Sequence, residues 1–310
     1  MRKFLMLSVI TLLSLPANLA QSAKQRVRVV TIPITIISKK ELKKKNIEEA
    51  PEVGEISVKE NGEEQTIISI RSVSESPLSL AILIQEDLSS LVNLELKSLG
   101  DFIKRLPKGS RVMVAYIRGG SVIIRQRFTE DLDKAAKSLT VVSPNLLPTA
   151  NSIFQSVEDV TKRFDALPSG RRAMLLISDG LDASIISSPS LQSVDLDRAV
   201  TKAQQRSVAI YSFYAAGGLV DRLDRQQVLA GQSLLLRLCE ETGGRAFFSG
   251  FSTPVSFKPF FQELAFTLER QFVLSYISTN MKKGYYKIEV TSTNPEVKIE
   301  HPSGYTIKSR

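Results

Sequence analysis

Polar side chains that can bind a divalent cation follow apolar runs at three places in the sequence. Residues 85–89 (QEDLS) come directly after the apolar run 78–84, Thr149 opens a predicted helix, and residues 178–182 (SDGLD) follow the apolar run 173–177. Carboxylate and hydroxyl oxygens are the ligands that hard cations prefer, and Mg²⁺ usually takes one or two carboxylates while it keeps several waters. Together the three groups indicate a cation site, provided that the fold brings them to one place.

Each group also has an ordinary structural explanation. Thr149 suits the N-cap position of a helix, and Asp179-Gly180 suits a simple turn. Their order along the chain, and their expected placement at three successive strand ends, make the combination more specific than any single group.

An alternation of strands and helices between residues 78 and 248 is expected to position these loops. The run 78–84 has no polar face, which is typical of a short strand buried on both sides. Gly119-Gly120 predicts a hairpin, so one edge strand should be antiparallel, whereas strands joined through helices should be parallel. Ligands of such a sheet bind beyond the carboxyl ends of its strands. The predicted strands are 78–84, 111–117, 121–128, 172–178, 207–214 and 245–248, and the predicted helices are 91–106, 131–139, 149–166, 195–206, 226–242 and 260–269.

Strand-forming segments flank this α/β part on both sides. Residues 26–38 are dense in Val, Ile and Thr, as strands are, and Asn61-Gly62 between two β-rich runs predicts a hairpin. From Phe272 onward the chain is again typical of strands. We expect the two terminal segments to pair with each other as one small sheet domain, with the α/β domain inserted between them.

The three polar groups resemble the von Willebrand factor A domain, whose metal-ion-dependent adhesion site uses an Asp-x-Ser-x-Ser loop, a Thr and an Asp. The chain further resembles the bacterial VWFA-related secreted proteins of the Acidobacteria type, over residues 26–307. The resemblance implies a Rossmann-like, mostly parallel α/β sheet with helices on both faces, and binding rather than catalysis. We expect the flanking β segments to form a small β-sandwich beside it. The segments that carry the resemblance are the hairpin 58–65 (VKENGEEQ), residues 77–80 (PLSL), 177–182 (ISDGLD), 240–248 (EETGGRAFF) and the ending with Gly304-Tyr305.

These features divide the chain into four parts. A signal peptide would occupy residues 1–20, an N-terminal β segment residues 24–76, the von Willebrand factor A-like domain residues 77–270, and a C-terminal β segment residues 271–310.

The first loop departs from the family pattern. Gln85 falls where the family has its Asp, and Asp87 falls where the family has its first Ser; Ser89 matches, as do Thr149 and Asp179. In the family, neutral hydroxyls bind the cation directly and leave it able to capture a carboxylate from a partner, whereas a directly bound Asp87 would neutralise it. We therefore expect a degenerate site that binds Mg²⁺ or another divalent cation weakly or not at all. Its candidate residues are Asp87, Ser89, Thr149 and Asp179.

The N-terminus predicts export. A short basic start precedes the apolar run 4–15, and residues 16–20 (PANLA) are similar to a processing region, although the small residue three positions before the cut is missing. Cleavage is expected after Ala20 or Ala23. The apolar run is short for a membrane-spanning helix, so we expect membrane association only if this segment is retained. The expected location is the periplasm or the exterior of a bacterial cell.

Composition excludes few partners. The chain has 310 residues, of which 43% are hydrophobic and 24% charged, which is ordinary for a globular protein. The formal charge of +9 indicates either a solvated basic surface or an anionic partner such as an envelope polymer or an acidic protein. Nucleic acid is disfavoured because no stretch combines a basic patch with interleaved aromatic residues. Cys239 is the only cysteine, so an internal disulfide is excluded. A buried helical thiol is expected, with an intermolecular bridge as the alternative.

The favoured function is a non-catalytic protein-interaction or adhesion module that binds a protein or cell-envelope ligand. The alternative is a structural scaffold of the envelope with neither metal nor ligand at the loop edge. An enzyme ranks third, because the sequence has no dinucleotide-binding glycine motif after a strand, no nucleophile elbow and no P-loop. The only histidine, His301, is expected in a surface turn.

Three further expectations concern packing. Arg171 and Arg172 should stay at the exposed entrance of a buried strand. Gly243-Gly244 should cap the preceding helix. A group of phenylalanines should form core contacts rather than a docking patch; its members are Phe247, Phe248, Phe251, Phe257, Phe260 and Phe261.

Overall fold

A computed structural model describes residues 27–40, 52–72, 74–142, 152–181, 193–216, 225–250 and 254–307. The strands are β1 (Arg28–Ser38), β2 (Ile56–Glu60), β3 (Glu63–Arg71), β4 (Leu78–Gln85), β5 (Arg111–Arg118), β6 (Ser121–Thr129), β7 (Arg171–Ser178), β8 (Val208–Tyr214), β9 (Ala246–Phe247), β10 (Gln271–Ser278), β11 (Gly284–Ser292), β12 (Val297–Glu300) and β13 (Gly304–Ile307). The α-helices are α1 (Leu96–Lys104), α2 (Leu132–Lys137), α3 (Ile153–Lys162), α4 (Val194–Gln205), α5 (Arg225–Glu241) and α6 (Lys258–Glu269). Short 3₁₀ turns cover Ser90–Glu95 and Arg163–Ala166.

Six strands form a doubly wound α/β sheet in the order β6-β5-β4-β7-β8-β9. All neighbours are parallel except β5 and β6, which are antiparallel and joined through Gly119-Gly120. The prediction of a mostly parallel sheet with one antiparallel edge strand is confirmed. The predicted helix 91–106 is divided between a 3₁₀ turn and α1, and the predicted helix 149–166 begins at Ile153 in the structure.

Strand β4 lies in the centre of the sheet and is buried along its whole length. Ala81 and Leu83 contact the cluster under α3, α4 and α5, whereas Leu80, Ile82 and Ile84 contact the cluster under α1, α2 and α6. A strand covered on both faces needs mostly apolar residues, which is why the run 78–84 is apolar except for the small, buried Ser79.

The flanking segments form one seven-stranded antiparallel sheet, in the order β12-β1-β10-β3-β2-β11-β13. The expected small β-sandwich is not confirmed by the described strands, which pair in one continuous order. The two segments interleave because β10 pairs with β1 on one side and with β3 on the other. Apolar side chains from strands across this sheet meet in a single cluster that includes Ile34, Val58, Leu274 and Val290.

The two sheets contact each other through polar groups. The Arg245 guanidinium, before β9, donates to Glu263 of α6 and to Glu300 of β12, each at 2.8 Å. The hydroxyl of Ser207, before β8, donates to the carbonyl of Thr31 in β1 at 2.5 Å. These contacts join the α/β part to both terminal segments.

Two sequence-based expectations were wrong. Arg171 is not at an exposed entrance but 1% exposed, because its guanidinium turns inward to donate to the carbonyl of Leu268 at 2.8 Å; Arg172 is half-buried. His301 is not an exposed turn residue, since its Nε2 accepts from the Val290 amide at 3.3 Å and its ring is half-buried.

The other packing expectations are confirmed within the described residues. Phe213 of β8 stands at the centre of a group of aromatic rings with Phe247, Phe257, Phe260 and Phe261, at centroid separations of 5.1 to 5.7 Å. Gly243 ends α5 with a positive φ of 81°, and Cys239 is a buried free thiol. Phe251 lies outside the described residues.

Candidate functional site

The ends of β4 and β7 place the first and third polar groups side by side. The two strands are parallel neighbours with Ile84 opposite Ile177, so Gln85 and Ser178 both stand at the carboxyl edge of the sheet. Thr149, the second polar group, lies outside the described residues. The helix that Thr149 was expected to cap begins at Ile153, with Ser152 as its N-cap.

Gln85 fastens the two loops to each other. Its side-chain oxygen Oε1 accepts a hydrogen bond from the Ser178 hydroxyl at 2.5 Å and a second from the Asp179 amide at 3.3 Å. The Ser178 hydroxyl oxygen in turn accepts from the amide of Gly180 at 3.0 Å. Gln85 is 3% exposed, and unpaired polar groups are costly in such a place, so this network holds the edge of the sheet in one arrangement.

Asp179 is a buried carboxylic acid at the same edge. Its residue is 7% exposed, and Oδ1 accepts from the Leu181 amide at 3.0 Å. Burial, and to a lesser extent the negative charge of Asp87, raise the pKa of Asp179 to about 7. Asp87 and Asp179 are therefore close enough to interact, as the cation-site hypothesis requires, and the charge of Asp87 makes Asp179 harder to ionise.

The loop after β7 lies directly on the backbone of α5. Gly180 has a φ of +72°, and a Cβ built on it would fall 2.2 Å from the carbonyl oxygen of Gly231. A Cβ on Gly231 would fall 2.3 Å from the carbonyl oxygen of Asp179. Two glycines are needed because two backbones meet without room for a side chain.

Ser89 has a structural task in the described geometry. Its hydroxyl accepts from the Leu91 amide at 3.4 Å and caps the 3₁₀ turn, and its own amide donates to the carbonyl of Ala216 after β8 at 2.9 Å. Leu88 before it is fully buried. The loop 85–89 is thus tied to β7 at one end and to the β8 connection at the other.

Glu86, within the first polar group, is a buried carboxylate to which the sequence analysis gave no separate role. Its carboxylate receives a short hydrogen bond from Arg118 Nε and another from Arg118 Nη2 at 2.9 Å, and Arg125 Nη2 lies 3.9 Å away. The Arg118 side chain is 59% exposed. In the sequence, the only indication of this ion pair is that the hairpin β5–β6 contains arginines. Their number does not identify Glu86 as the partner until the fold places the hairpin beside β4.

The fit of the site to a divalent cation can be assessed from these contacts. Within the described ranges, no group of three or more acidic, histidine or cysteine residues has an arrangement that would hold a metal ion. The position equivalent to the family's Asp supplies an amide oxygen that already accepts two hydrogen bonds. Asp87 and Asp179 remain as two interacting carboxyl groups at this edge.

Comparisons with known proteins give similarity in structure rather than in sequence. No family model and no curated protein matches the sequence. Among solved structures, an aerotolerance-related membrane protein from Bacteroides fragilis is 13% identical, with 62% of this chain and 98% of that chain covered and a TM-score of 0.44.

Two other solved structures are similar to the same degree. BatB from Bacteroides thetaiotaomicron is 14% identical over 62% of this chain and 97% of that one, with a TM-score of 0.45. A von Willebrand factor type A protein from Catenulispora acidiphila is 10% identical over 78% of this chain and 74% of that one, with a TM-score of 0.45. The neighbours thus include von Willebrand factor A domains.

Proposed function

We propose that this protein is an exported, non-catalytic interaction or adhesion module, and that its partner binds at the carboxyl edge of the six-stranded sheet. The partner is a protein or a cell-envelope ligand. The cation site at this edge is degenerate, so that Mg²⁺ binds weakly or not at all and the partner is held mainly by direct side-chain contacts.

The observation that carries the proposal is the engagement of Gln85. A cation that used this position would have to displace the donors Ser178 and Asp179 N–H from Oε1. A neutral amide also attracts Mg²⁺ less than a carboxylate does. The edge therefore offers a fixed polar surface rather than an open coordination sphere.

The chemistry of the edge suits a partner with mixed charge. Arg118 presents a largely exposed guanidinium beside Glu86, and Asp87 interacts electrostatically with Asp179. A partner carboxylate can pair with Arg118, and a partner lysine or arginine can pair with Asp87. Such pairs give specificity and association rate more than affinity.

A non-catalytic role is supported by the position of the only histidine. His301 follows β12 and bonds to the Val290 amide in the seven-stranded sheet. General acid–base work by this ring would require it to lie within hydrogen-bond reach of a reacting group at the site, and its described partners are backbone groups of its own sheet.

Calorimetric titration with Mg²⁺ and Mn²⁺ tests the metal part of the proposal. We expect little or no heat with the mature chain, and no change in the unfolding temperature. Tight binding that disappears in Asp87→Ala would contradict it and would restore a metal-dependent adhesion site. Asp101→Ala, an exposed carboxylate on α1, is the matched control.

A second candidate, an envelope scaffold without a ligand at this edge, is favoured by the extent to which the loops satisfy their own polar groups. Alanine substitutions at Asp87, Thr149 and Asp179 distinguish the two, with partners isolated from the envelope as the binding probe. Loss of binding without loss of thermal stability supports the interaction module. Retained binding in all three variants, with loss only when distant faces are changed, supports the scaffold.

Export is proposed from residues 1–23, which lie outside the described residues. Within the described ranges, no helix has the length and apolarity needed to cross a membrane. Mass spectrometry of the protein from the periplasm or medium of an expressing bacterium tests this part. A new N-terminus after Ala20 or Ala23 is expected, and an intact N-terminus in the cytoplasm would contradict it.

A further inference from the structure

Arg171 is a buried cation without a matching anion. Its residue is 1% exposed, and among the described residues its guanidinium is hydrogen-bonded to a carbonyl rather than to a carboxylate, while the charge of Glu269 acts on it without a hydrogen bond. Nη2 donates to the carbonyl of Leu268 at 2.8 Å, whereas Nε has no partner. Burial lowers the pKa of Arg171 to about 10. A desolvated guanidinium with unused donors is unfavourable unless something else pairs with it.

Two adjoining cavities open beside this side chain. The larger, of about 730 Å³, lies between α1 and α6, and the smaller, of about 410 Å³, lies at the amino end of β4. Arg171, Leu78, Pro107 and Glu269 line both. The cavities are at the opposite end of the sheet from the loops 85–89 and 178–181, because Leu78 and Arg171 begin their strands.

The walls of the two cavities differ in chemistry. The larger one is apolar and aromatic, with Phe102, Leu106 and Phe261 among its lining residues. The smaller one adds the polar side chains of Lys108 and Ser110 to an apolar wall that includes Pro77 and Phe272. The hydroxyl of Ser110 is a second buried polar atom without a partner. Ser110 and Arg171, each with one buried polar atom that has no partner, therefore both line the smaller cavity.

We propose that these cavities form a binding site for a single-chain carboxylate amphiphile, such as a medium-chain fatty acid. The carboxylate pairs with Arg171 where the two cavities meet, and the alkyl chain occupies the larger cavity between α1 and α6.

Charge and shape both favour this occupant. Guanidinium binds carboxylate through two parallel hydrogen bonds, and the ligand would supply the anion that Arg171 lacks. The cavity volume falls in the range of about 300–1,000 Å³ that is usual for small-molecule sites, and its apolar wall suits a hydrocarbon chain. Glu269 also lines both cavities, but it is exposed. Its negative charge stabilises the charged form of Arg171 and leaves the guanidinium N–H donors for a ligand carboxylate.

Calorimetric titration of the mature chain with dodecanoate is the direct experiment. We expect saturable one-to-one binding. Acetate, which has the charge without the chain, and dodecanol, which has the chain without the charge, should each bind at least about tenfold more weakly, since a charge-assisted pair and a buried chain each contribute that much. Equal binding of dodecanol, or of dodecylphosphocholine, would overturn the assignment of the carboxylate to Arg171.

Two variants separate the ligand site from a structural role of Arg171. Arg171→Met removes the charge at similar length and should weaken dodecanoate binding about tenfold or more, without lowering the unfolding temperature. Ala265→Trp should fill the larger cavity and abolish binding while Arg171 is intact. Arg172→Met is the matched control, because its guanidinium donates to the carbonyls of Leu167 and Arg206 instead, and it should bind dodecanoate normally.

The proposal is overturned if dodecanoate gives no binding, or if Arg171→Met binds it as the unmodified chain does. It is also overturned if Arg171→Met unfolds at a lower temperature and its folded fraction still binds normally, because Arg171 would then serve the fold alone.

Discussion

The side-chain oxygen of Gln85 accepts a hydrogen bond from the hydroxyl of Ser178 at 2.5 Å, and this bond joins the ends of the two central strands. In the von Willebrand factor A pattern that the sequence resembles, a carboxylate is expected at this position. The amide lets the edge close on itself through hydrogen bonds, where a carboxylate would add a third negative charge beside Asp87 and Asp179. This exchange of charge for a neutral acceptor is the basis of the first prediction.

Gln85→Asp should make stability depend on divalent cations. The shorter carboxylate loses part of the bond to Ser178 and adds repulsion with Asp87 and Asp179, so we expect a loss of about 1–3 kcal/mol in EDTA. Mg²⁺ should restore part of it, because binding to the folded state stabilises that state. Thermal unfolding with and without 10 mM-scale Mg²⁺ measures this, and Gln85→Asn is the neutral control. Equal stability of Gln85→Asp in both buffers would show that three carboxylates here do not form a cation site.

Asp179 should make the protein more stable in mild acid than at neutral pH. The pKa of Asp179 is about 7 in the folded state, above its ordinary value of 3.8, so the folded state binds the proton more tightly. The contribution of Asp179 is therefore most favourable below about pH 4 and is lost as pH rises towards 7, by at most roughly 4 kcal/mol.

Asp179→Asn should remove this slope and keep the acceptor for the Leu181 amide. Chemical unfolding in EDTA at several pH values between 4 and 8 measures the difference between variant and parent. Asp101→Asn should leave the slope as it is. A parallel pH profile for Asp179→Asn and the parent would mean that Asp179 is ionised at the edge throughout this range.

Two glycine-to-alanine substitutions in helices should have opposite signs. Gly231→Ala would place a Cβ 2.3 Å from the carbonyl oxygen of Asp179. Because this oxygen is part of the backbone, the clash can be relieved only by moving the loop or the helix. We expect a loss of about 2 kcal/mol or more. Gly100→Ala in α1 meets no atom closer than 3.8 Å, so it should gain about 0.5–1 kcal/mol from helix propensity. Denaturant unfolding of both variants checks the contrast, and a stabilising Gly231→Ala would show that the loop after β7 does not lie on α5.

Glu60→Gln should destabilise the seven-stranded sheet. The Glu60 carboxylate is fully buried and accepts three hydrogen bonds at 2.7 Å each, from Tyr276, Ser278 and Asn280. Burial, and then the Glu60 charge, raise the pKa of Tyr276. A Gln side chain has one acceptor oxygen where Glu60 has two, so at least one of the three donors would face its NH₂ group. We therefore expect the free energy of unfolding to fall by about 3 kcal/mol.

Glu289→Gln, on the neighbouring strand β11 and in an exposed ion pair with Lys287, is the control for Glu60→Gln. Surface pairs contribute little, so the control should unfold at the denaturant concentration of the parent. Equal effects from the two substitutions would argue against a specific role for the Glu60 network.

Local patterns were sufficient for the α/β sheet. The run 78–84 identified β4 because a central strand needs no polar face, and Gly119-Gly120 located the antiparallel edge. Helix boundaries were predicted less accurately where the N-cap residue sets them. The N-cap of α3 is Ser152 rather than Thr149. Both Ser and Thr are good N-cap residues, so the sequence pattern alone does not choose between them.

The remaining errors concern long-range pairing. Nothing near Arg171 in the sequence shows that the carbonyl of Leu268 will receive its guanidinium, and nothing near Glu60 shows that Tyr276 will lie against it. The single seven-stranded sheet likewise depends on β10, whose two neighbours both come from the N-terminal segment. Such contacts are set by the whole topology, and only the folded chain reveals them.

Strand β1 is hydrogen-bonded on one side to β10 and on the other to β12. When the chain is synthesised or exported from its N-terminus, β1 emerges long before β10 and β12 do. Until then this apolar strand, which carries Ile32, Ile34 and Ile36, has no final neighbours. Contacts of such high sequence separation form slowly, and unpaired strands are prone to aggregate in the meantime. We expect pulse-labelling hydrogen exchange to show the β4 and β7 amides protected first and the β1 amides last, which would make the terminal sheet the step that limits the yield of folded protein.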